Sequence, residues 1–283
     1  SKSPVSDEAF AAHYTALFTG PSGPYGCPFT PTSGDVPAHD VFSRFDVERA
    51  LSSLKCGKAG GANKLTPDLF KAVKAEIKDV LVAMFSEVWQ KPSTLPQEWK
   101  DAVVFSLHKK GSREDPNNYR SIFLLDVIGK VFAKCLYRYI ERGIDGKLDP
   151  WQFGFRKGRG TAQAILLVRQ RLQTSLSKGS QSIVCFVDLT KAFDSIDRAC
   201  LWNALDWFGL PERCKAVLWY LHTTPHGLVG KREVSVDRGV RQGCVLGPLL
   251  FTMVFQYLLA KCSWFDTGVH VAYADDLALF AET

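Results

Sequence analysis

The sequence predicts a mixed α/β fold. Long runs carry apolar residues at helical spacing, several short runs are almost wholly apolar, and Gly/Pro-rich stretches punctuate both. With 283 residues, 46% of them hydrophobic and 12% aromatic, the chain can fill one large core or two ordinary ones.

"SDEAFAAHYTALF" predicts a short helix, and the Gly/Pro/Ser-rich residues 19–40 an irregular linker. "DVERALSSLK" sets Val47, Ala50, Leu51 and Leu54 on one helical face that ends at Gly57. A longer helix opens with Thr66 as N-cap and Pro67 in the first position, and carries Phe70, Val73, Ile77, Val80, Leu81, Met84, Phe85 and Val88 toward a core. "DAVVFSLHKKG" and "NNYRSIFLL" read as two strands of a hairpin-like arm with a basic loop. The helix from Asp126 repeats Lys130, Lys134 and Arg138 every four residues, a stripe suited to a phosphate backbone or to a solvated face. "QFGFRKGRGT" (152–161) is a glycine-rich basic turn leading into the helix "AQAILLVRQRLQTSL". Strand 182–189, a helix over about 197–208, a long apolar helix after Pro248 and two apolar strands flanking Asp275 and Asp276 complete the chain. There is no internal repeat.

Composition excludes several classes. Eight cysteines include no C-x-x-C pair and read as reduced, mostly buried thiols of an intracellular protein. The six histidines form no H-E-x-x-H. No charge-free apolar run approaches the ~18 residues of a membrane span, and no signal-peptide pattern precedes the body, although the first residue is Ser1 rather than Met. The net charge of +6 is concentrated: residues 91–171 hold sixteen Lys/Arg against eight Asp/Glu, a net of +8, so the remainder sums to −2. That asymmetry suggests a polyanion-facing region beside a carboxylate-bearing one.

Asp188, Asp275 and Asp276 sit at strand ends or turns in apolar surroundings, where an unpaired charge is costly. Singly, each could be an Asx-turn or a cap; together they suggest a shared hard divalent cation bound through oxygen. An aspartate phosphatase is a competing reading, but Asp188 lacks a second aspartate two residues on, and the basic middle of the chain goes unexplained.

From about residue 46 onward, "GKAGGANKLTPDLF", "LPQEWKDAVVFSLHKKG", "NYRSIFLLDVIGKVFAKCL", "QFGFRKGRGT", "FVDLTKAFDSIDR", "RQGCVLGPLLF" and "YADD" stand in the order and at the intervals of one family. In these the chain resembles the reverse transcriptases of non-LTR (LINE-type) retrotransposons. The resemblance implies a right-hand polymerase fold: residues 1–45 an N-terminal helix and linker, 46–181 mainly fingers, 182–283 mainly an incomplete palm, with the thumb missing and the piece alone poorly active. It implies RNA-directed DNA synthesis from a primer 3′-hydroxyl, with an RNA template, a DNA primer and dNTPs as partners. No membrane partner is expected, and the nucleus is the expected compartment. Asp188, Asp275 and Asp276, with the Leu189 carbonyl, would hold two Mg2+ ions, or Mn2+ as a substitute. Lys109, Lys110 and Arg120 would hold the triphosphate. Phe193 would exclude a 2′-hydroxyl, although without the resemblance a packed core aromatic is the preferred reading. Gln242 and Gly243 would lie along the nascent base pair, and Arg156, Lys157 and Arg159 would contact template or primer phosphates.

Three positions depart from the family's pattern: "GGANKLTP" replaces Gly-Pro-Asp-Gly, Ser121 replaces a proline, and Gly247 replaces a serine. They fit an active divergent lineage or an inactive nucleic-acid-binding remnant; a group II intron type enzyme is the alternative within the polymerase class.

Overall fold

The computed structural model describes residues 3–20, 26–32, 35–223, 225–262 and 270–282. Helices α1 (Asp7–Phe18), α2 (Ala38–Val41) and α3 (Arg44–Ser52) open the chain, followed by α4 (Pro67–Ala72), α5 (Lys74–Gln90) and α6 (Gln97–Lys100). The expected long helix after Thr66 is thus divided at Val73, whose ψ of 23° leaves the helical range. The break turns the buried stripe of α5 to Leu81, Phe85, Val88 and Trp89, and leaves Val80 exposed rather than in the core.

Strands β1 (Ala102–His108) and β2 (Tyr119–Leu125) form the expected antiparallel arm, in register from Ala102 opposite Leu125 to His108 opposite Tyr119. Helices α7 (Val127–Ile144) and α8 (Thr161–Ser177), strand β3 (Ser182–Val187), and helices α9 (Arg198–Trp207) and α10 (Glu212–His222) come next. The hairpin β4 (His226–Val229) and β5 (Arg232–Ser235), helix α11 (Gly247–Lys261), and strands β6 (His270–Tyr273) and β7 (Asp276–Glu282) follow. Among the described residues the strands make two sheets, β2-β1-β4-β5 and β3-β7-β6. No described helix is long and apolar enough to cross a membrane.

The main core runs beneath both sheets, and a smaller cluster of Ala164, Val271, Ala278 and Phe280 packs α8 on the second. Phe132 of α7 stacks on Phe42 at 4.9 Å and meets Phe85 edge-on at 5.3 Å, with Trp99 tilted against it at 5.2 Å. Helix α1 belongs to this core: Phe10, Tyr14 and Phe18 are buried, and the Tyr14 hydroxyl donates to Ser106 of β1. The N-terminal helix is therefore packed on the first sheet and does not hang from a linker.

Strand β3 differs from its apolar sequence. It lies at the edge of its sheet, and Ile183, Cys185 and Phe186 are exposed, Phe186 at 76%. All eight cysteines are free, and Cys56, Cys185 and Cys262 are exposed rather than buried.

The aromatic cluster yields a stability expectation. Phe132→Ala should lower unfolding free energy by about 3–5 kcal/mol through lost burial and an unfilled cavity, read from urea denaturation with an unchanged m-value.

Candidate active site

The β3–β7 ladder assembles the carboxylates. Val187 pairs with Leu277, so Asp188 leaves β3 beside the point where Asp276 begins β7. Asp275 occupies the β6–β7 turn, one residue from that point. Successive strand residues point to opposite faces. Asp188 and Asp275 accordingly line a cleft of about 760 Å3, while Asp188 and Asp276 border a smaller apolar one of about 440 Å3 between α8 and the sheet. The expected convergence is therefore present as adjacency at strand ends. Among the described residues, no three His, Cys, Asp or Glu side chains close to metal-binding distance. The donor set still suits a hard divalent cation: it is all carboxylate, and none of the three side chains holds a hydrogen bond or ion pair among the described residues.

Cations line the larger cleft together with the carboxylates. Lys109, at the end of β1, and Arg120, in β2, are exposed on its wall, whereas Lys110 lies outside it. Lys191 joins them from the β3 side and donates to Asn117 at 3.4 Å. Phe193 enters the same cleft held from two sides, stacked on Phe251 at 4.7 Å and edge-on to Phe155 at 5.8 Å. It is half-buried, so it serves both as packing and as cleft wall.

The loop after β5 is stitched to this segment. Gly239 N–H donates to Ile196 O at 2.8 Å, Val240 N–H to Phe193 O at 2.9 Å, and Phe123 N–H to Gln242 O at 2.8 Å. Gly243 needs its missing side chain: its φ is +107°, and a Cβ would stand 2.6 Å from the Phe123 carbonyl oxygen. Ser121, where the resemblance expects proline, is 2% exposed on the cleft wall with its hydroxyl unpartnered among the described residues.

Sequence reading missed Asp194. Its Oδ2 accepts from Gln242 Nε2 at 3.0 Å, and its Oδ1 is buried at the cleft without a partner among the described residues. Burial pushes the carboxyl up to about 6, against the opposing pull of Lys191, the Gln242 hydrogen bond and Arg120. The usable signal was an aspartate directly after Phe193, between the apolar Ala192–Phe193 pair and Ile196. His13 and Tyr14 of α1 also line the cleft, which no sequence pattern foretold; burial and Lys191 hold the His13 imidazole below its usual range.

The basic residues divide. Lys134 donates to Ser53 O and Oγ at 3.1 and 2.8 Å, and Arg138 to Asp46 O at 3.1 Å, while Lys130 is half-buried. Lys134 and Arg138 thus lie along the seam between α7 and the α3 segment, and all three side chains are partly buried. Arg156 donates to Asp149 O at 2.7 Å and Arg159 to Pro150 O, while Lys157 of the same turn is exposed.

Asp194 should make stability pH-dependent. Its folded pKa lies above the ordinary carboxylate value, so folding resists ionisation and stability falls as pH rises from about 4 through 6. Asp194→Asn should be more stable than the parent above pH 6, by on the order of 2–3 kcal/mol, with the gap closing toward pH 4 in thermal melts.

Comparison with known proteins bears on the whole constellation. Residues 107–283 match the family described as reverse transcriptase (RNA-dependent DNA polymerase). The chain is 30% identical to the putative 115 kDa protein of the type-1 retrotransposable element R1DM of Drosophila melanogaster, over 87% of this chain and 24% of that protein. It is 27% identical to the Pol polyprotein of the type-2 element R2DM of the same fly, over 98% of this chain and 27% of that protein. With the probable RNA-directed DNA polymerase from transposon BS, also of Drosophila melanogaster, identity is 25% over 83% and 27%. The chain spans about a quarter of the length of these curated relatives.

Proposed function

This chain belongs to the reverse transcriptase (RNA-dependent DNA polymerase) family, and from that premise we propose that it carries the polymerising site of a non-LTR retrotransposon protein. The reaction is transfer of a deoxynucleotide to a primer 3′-hydroxyl on an RNA template. The supporting observation is that Asp188 and Asp275, at neighbouring strand ends of one sheet, line the same cleft as Lys109 and Arg120 of the other sheet's arm. Negative ligands for a cation beside positive donors is the arrangement phosphoryl transfer requires, because charge builds on the transferred and leaving phosphates. In right-hand terms, the sheet containing β1 and β2 belongs to the fingers and the sheet containing β3, β7 and β6 to the palm.

Asp188, Asp275 and Asp276, with the Leu189 carbonyl, would hold two Mg2+ ions, with Mn2+ as a substitute. Such ions, when bound, make the 3′-oxygen a stronger nucleophile and neutralise the pyrophosphate. The chain's own residues do the rest. Lys109 and Arg120 bind the triphosphate, with Lys110 adding charge from outside the cleft. Phe193, clamped between Phe155 and Phe251, is rigid enough to exclude a 2′-hydroxyl. Gln242 and Gly243, fixed on β2, face the nascent base pair. Lys157 is the member of its basic turn best placed for a nucleic-acid phosphate, since Arg156 and Arg159 already donate to loop carbonyls. Synthesis at a chromosomal target would put the protein in the nucleus.

In the full-length protein, Asp188→Asn should reduce RNA-templated dNTP incorporation by about 10³-fold or more while primer–template affinity stays within a few-fold. Equal synthesis by the variant would sink the ligand assignment. Phe193→Val should raise ribonucleotide use relative to deoxynucleotide use by about tenfold, measured as a ratio of kcat/KM values.

A further inference from the structure

The turn that carries Asp275 is not held by its own hairpin alone. Ala274, the residue before it, has φ +57°, a left-handed conformation in which the Cβ of an alanine crowds the following carbonyl oxygen. Such a conformation persists where the surroundings over-determine it. Here the surroundings are one side chain from 122 residues away. Gln152 is 3% exposed; its Oε1 accepts from Ala274 N–H at 2.9 Å and Gly154 N–H at 2.8 Å, and its Nε2 donates to Ala274 O at 3.2 Å. Both main-chain polar groups of Ala274 are thereby satisfied by a single amide.

The flanking residues extend the attachment. Phe153 N–H donates to Ala272 O at 2.8 Å, and Ala272 N–H to Trp151 O at 2.9 Å, so the segment runs parallel beside β6. At its start, the wholly buried His270 ring meets the Asp149 carboxyl, whose other oxygen accepts from Trp151 N–H at 2.9 Å. At its end, a Cβ on Gly154 would stand 2.1 Å from Ala274 N, so only glycine admits the approach. Arg156 and Arg159 in turn grip the carbonyls of Asp149 and Pro150.

We propose that Gln152 is a positioning residue for the proposed polymerase reaction: residues 149–154 brace the β6–β7 turn, and the Gln152 amide sets where Asp275 presents its carboxylate to a divalent cation. The inference rests on the polymerase reading of this cleft. An amide is suited to the task because it accepts and donates at once, and it adds no charge to a site already rich in carboxylates. Leucine would fill the same space and offer neither.

The test uses the full-length protein with Gln152→Leu and Gln152→Glu. The glutamate keeps the two accepted bonds and loses the donated one. Gln152→Leu should lower kcat by about 30-fold or more, with KM for dNTP and primer–template affinity within about threefold. It should also weaken Mn2+ binding, read by electron paramagnetic resonance without turnover, by about tenfold. Gln152→Glu should fall between the two. A folded Gln152→Leu with parental kcat and parental Mn2+ affinity overturns the inference and leaves the polymerase reading intact. A loss of melting temperature with unchanged kcat per folded molecule does the same, since it marks a merely structural role. If Gln152→Leu does not fold, Gln152→Glu decides on the same two readouts. Failure of the parent protein to extend a primer or bind Mn2+ overturns the polymerase reading, and the role of Gln152 with it.

Discussion

Like charges must be gathered without being buried. Two carboxylates about 4 Å apart repel by roughly 1 kcal/mol in water and about 4 kcal/mol at an effective dielectric of 20. The chain meets this constraint by placing Asp188, Asp275 and Asp276 at the ends of paired strands rather than within them. Six registered pairs between β3 and β7, from Ser182 opposite Glu282 to Val187 opposite Leu277, hold the ends together. Asp188 and Asp276 stay exposed and Asp275 half-buried, so water limits the repulsion. The cleft is open because it has to be.

That openness leaves little local packing to fix the geometry, and long-range ties supply it. The Phe193 segment is fastened to the 239–242 loop, the loop to β2, and the β6–β7 turn to residues 149–154. Arg241 belongs to the same scheme: almost wholly buried, it donates to the carbonyls of Lys100 and Leu221 and so joins the loop to two further elements. A buried guanidinium satisfied by carbonyls is expensive to desolvate, and its value lies in rigid geometry more than in net stability. Asp194 follows the same logic, because its ionised form works against folding while standing on the cleft wall.

The sequence showed elements better than attachments. The β1–β2 arm, the β6–β7 turn and the long helix after Pro248 were legible because periodicity and turn chemistry are local. The adjacency of Asp188 and Asp275 was foreseen through motif order and not through physics, since spacing carries no information about a ladder closed across the fold. The Lys130, Lys134 and Arg138 stripe shows a related limit: periodicity finds a face but not what covers it, and the α3 segment lies against Lys134 and Arg138. Gln152 and Asp194 were invisible as working residues because a polar side chain in an aromatic stretch says only that a partner exists somewhere.

The brace has a temporal side. Its two halves lie 122 residues apart, so the turn bearing Asp275 acquires its support only once synthesis has passed residue 274, long after Gln152 was made. Contacts of such long separation form late, after local helices and hairpins have condensed. Until then the nascent chain can hold its first sheet and aromatic cluster but no organised carboxylate site. A chain that ends before residue 274 therefore lacks both the turn and the partner that the Gln152 amide holds, whatever else of it has packed.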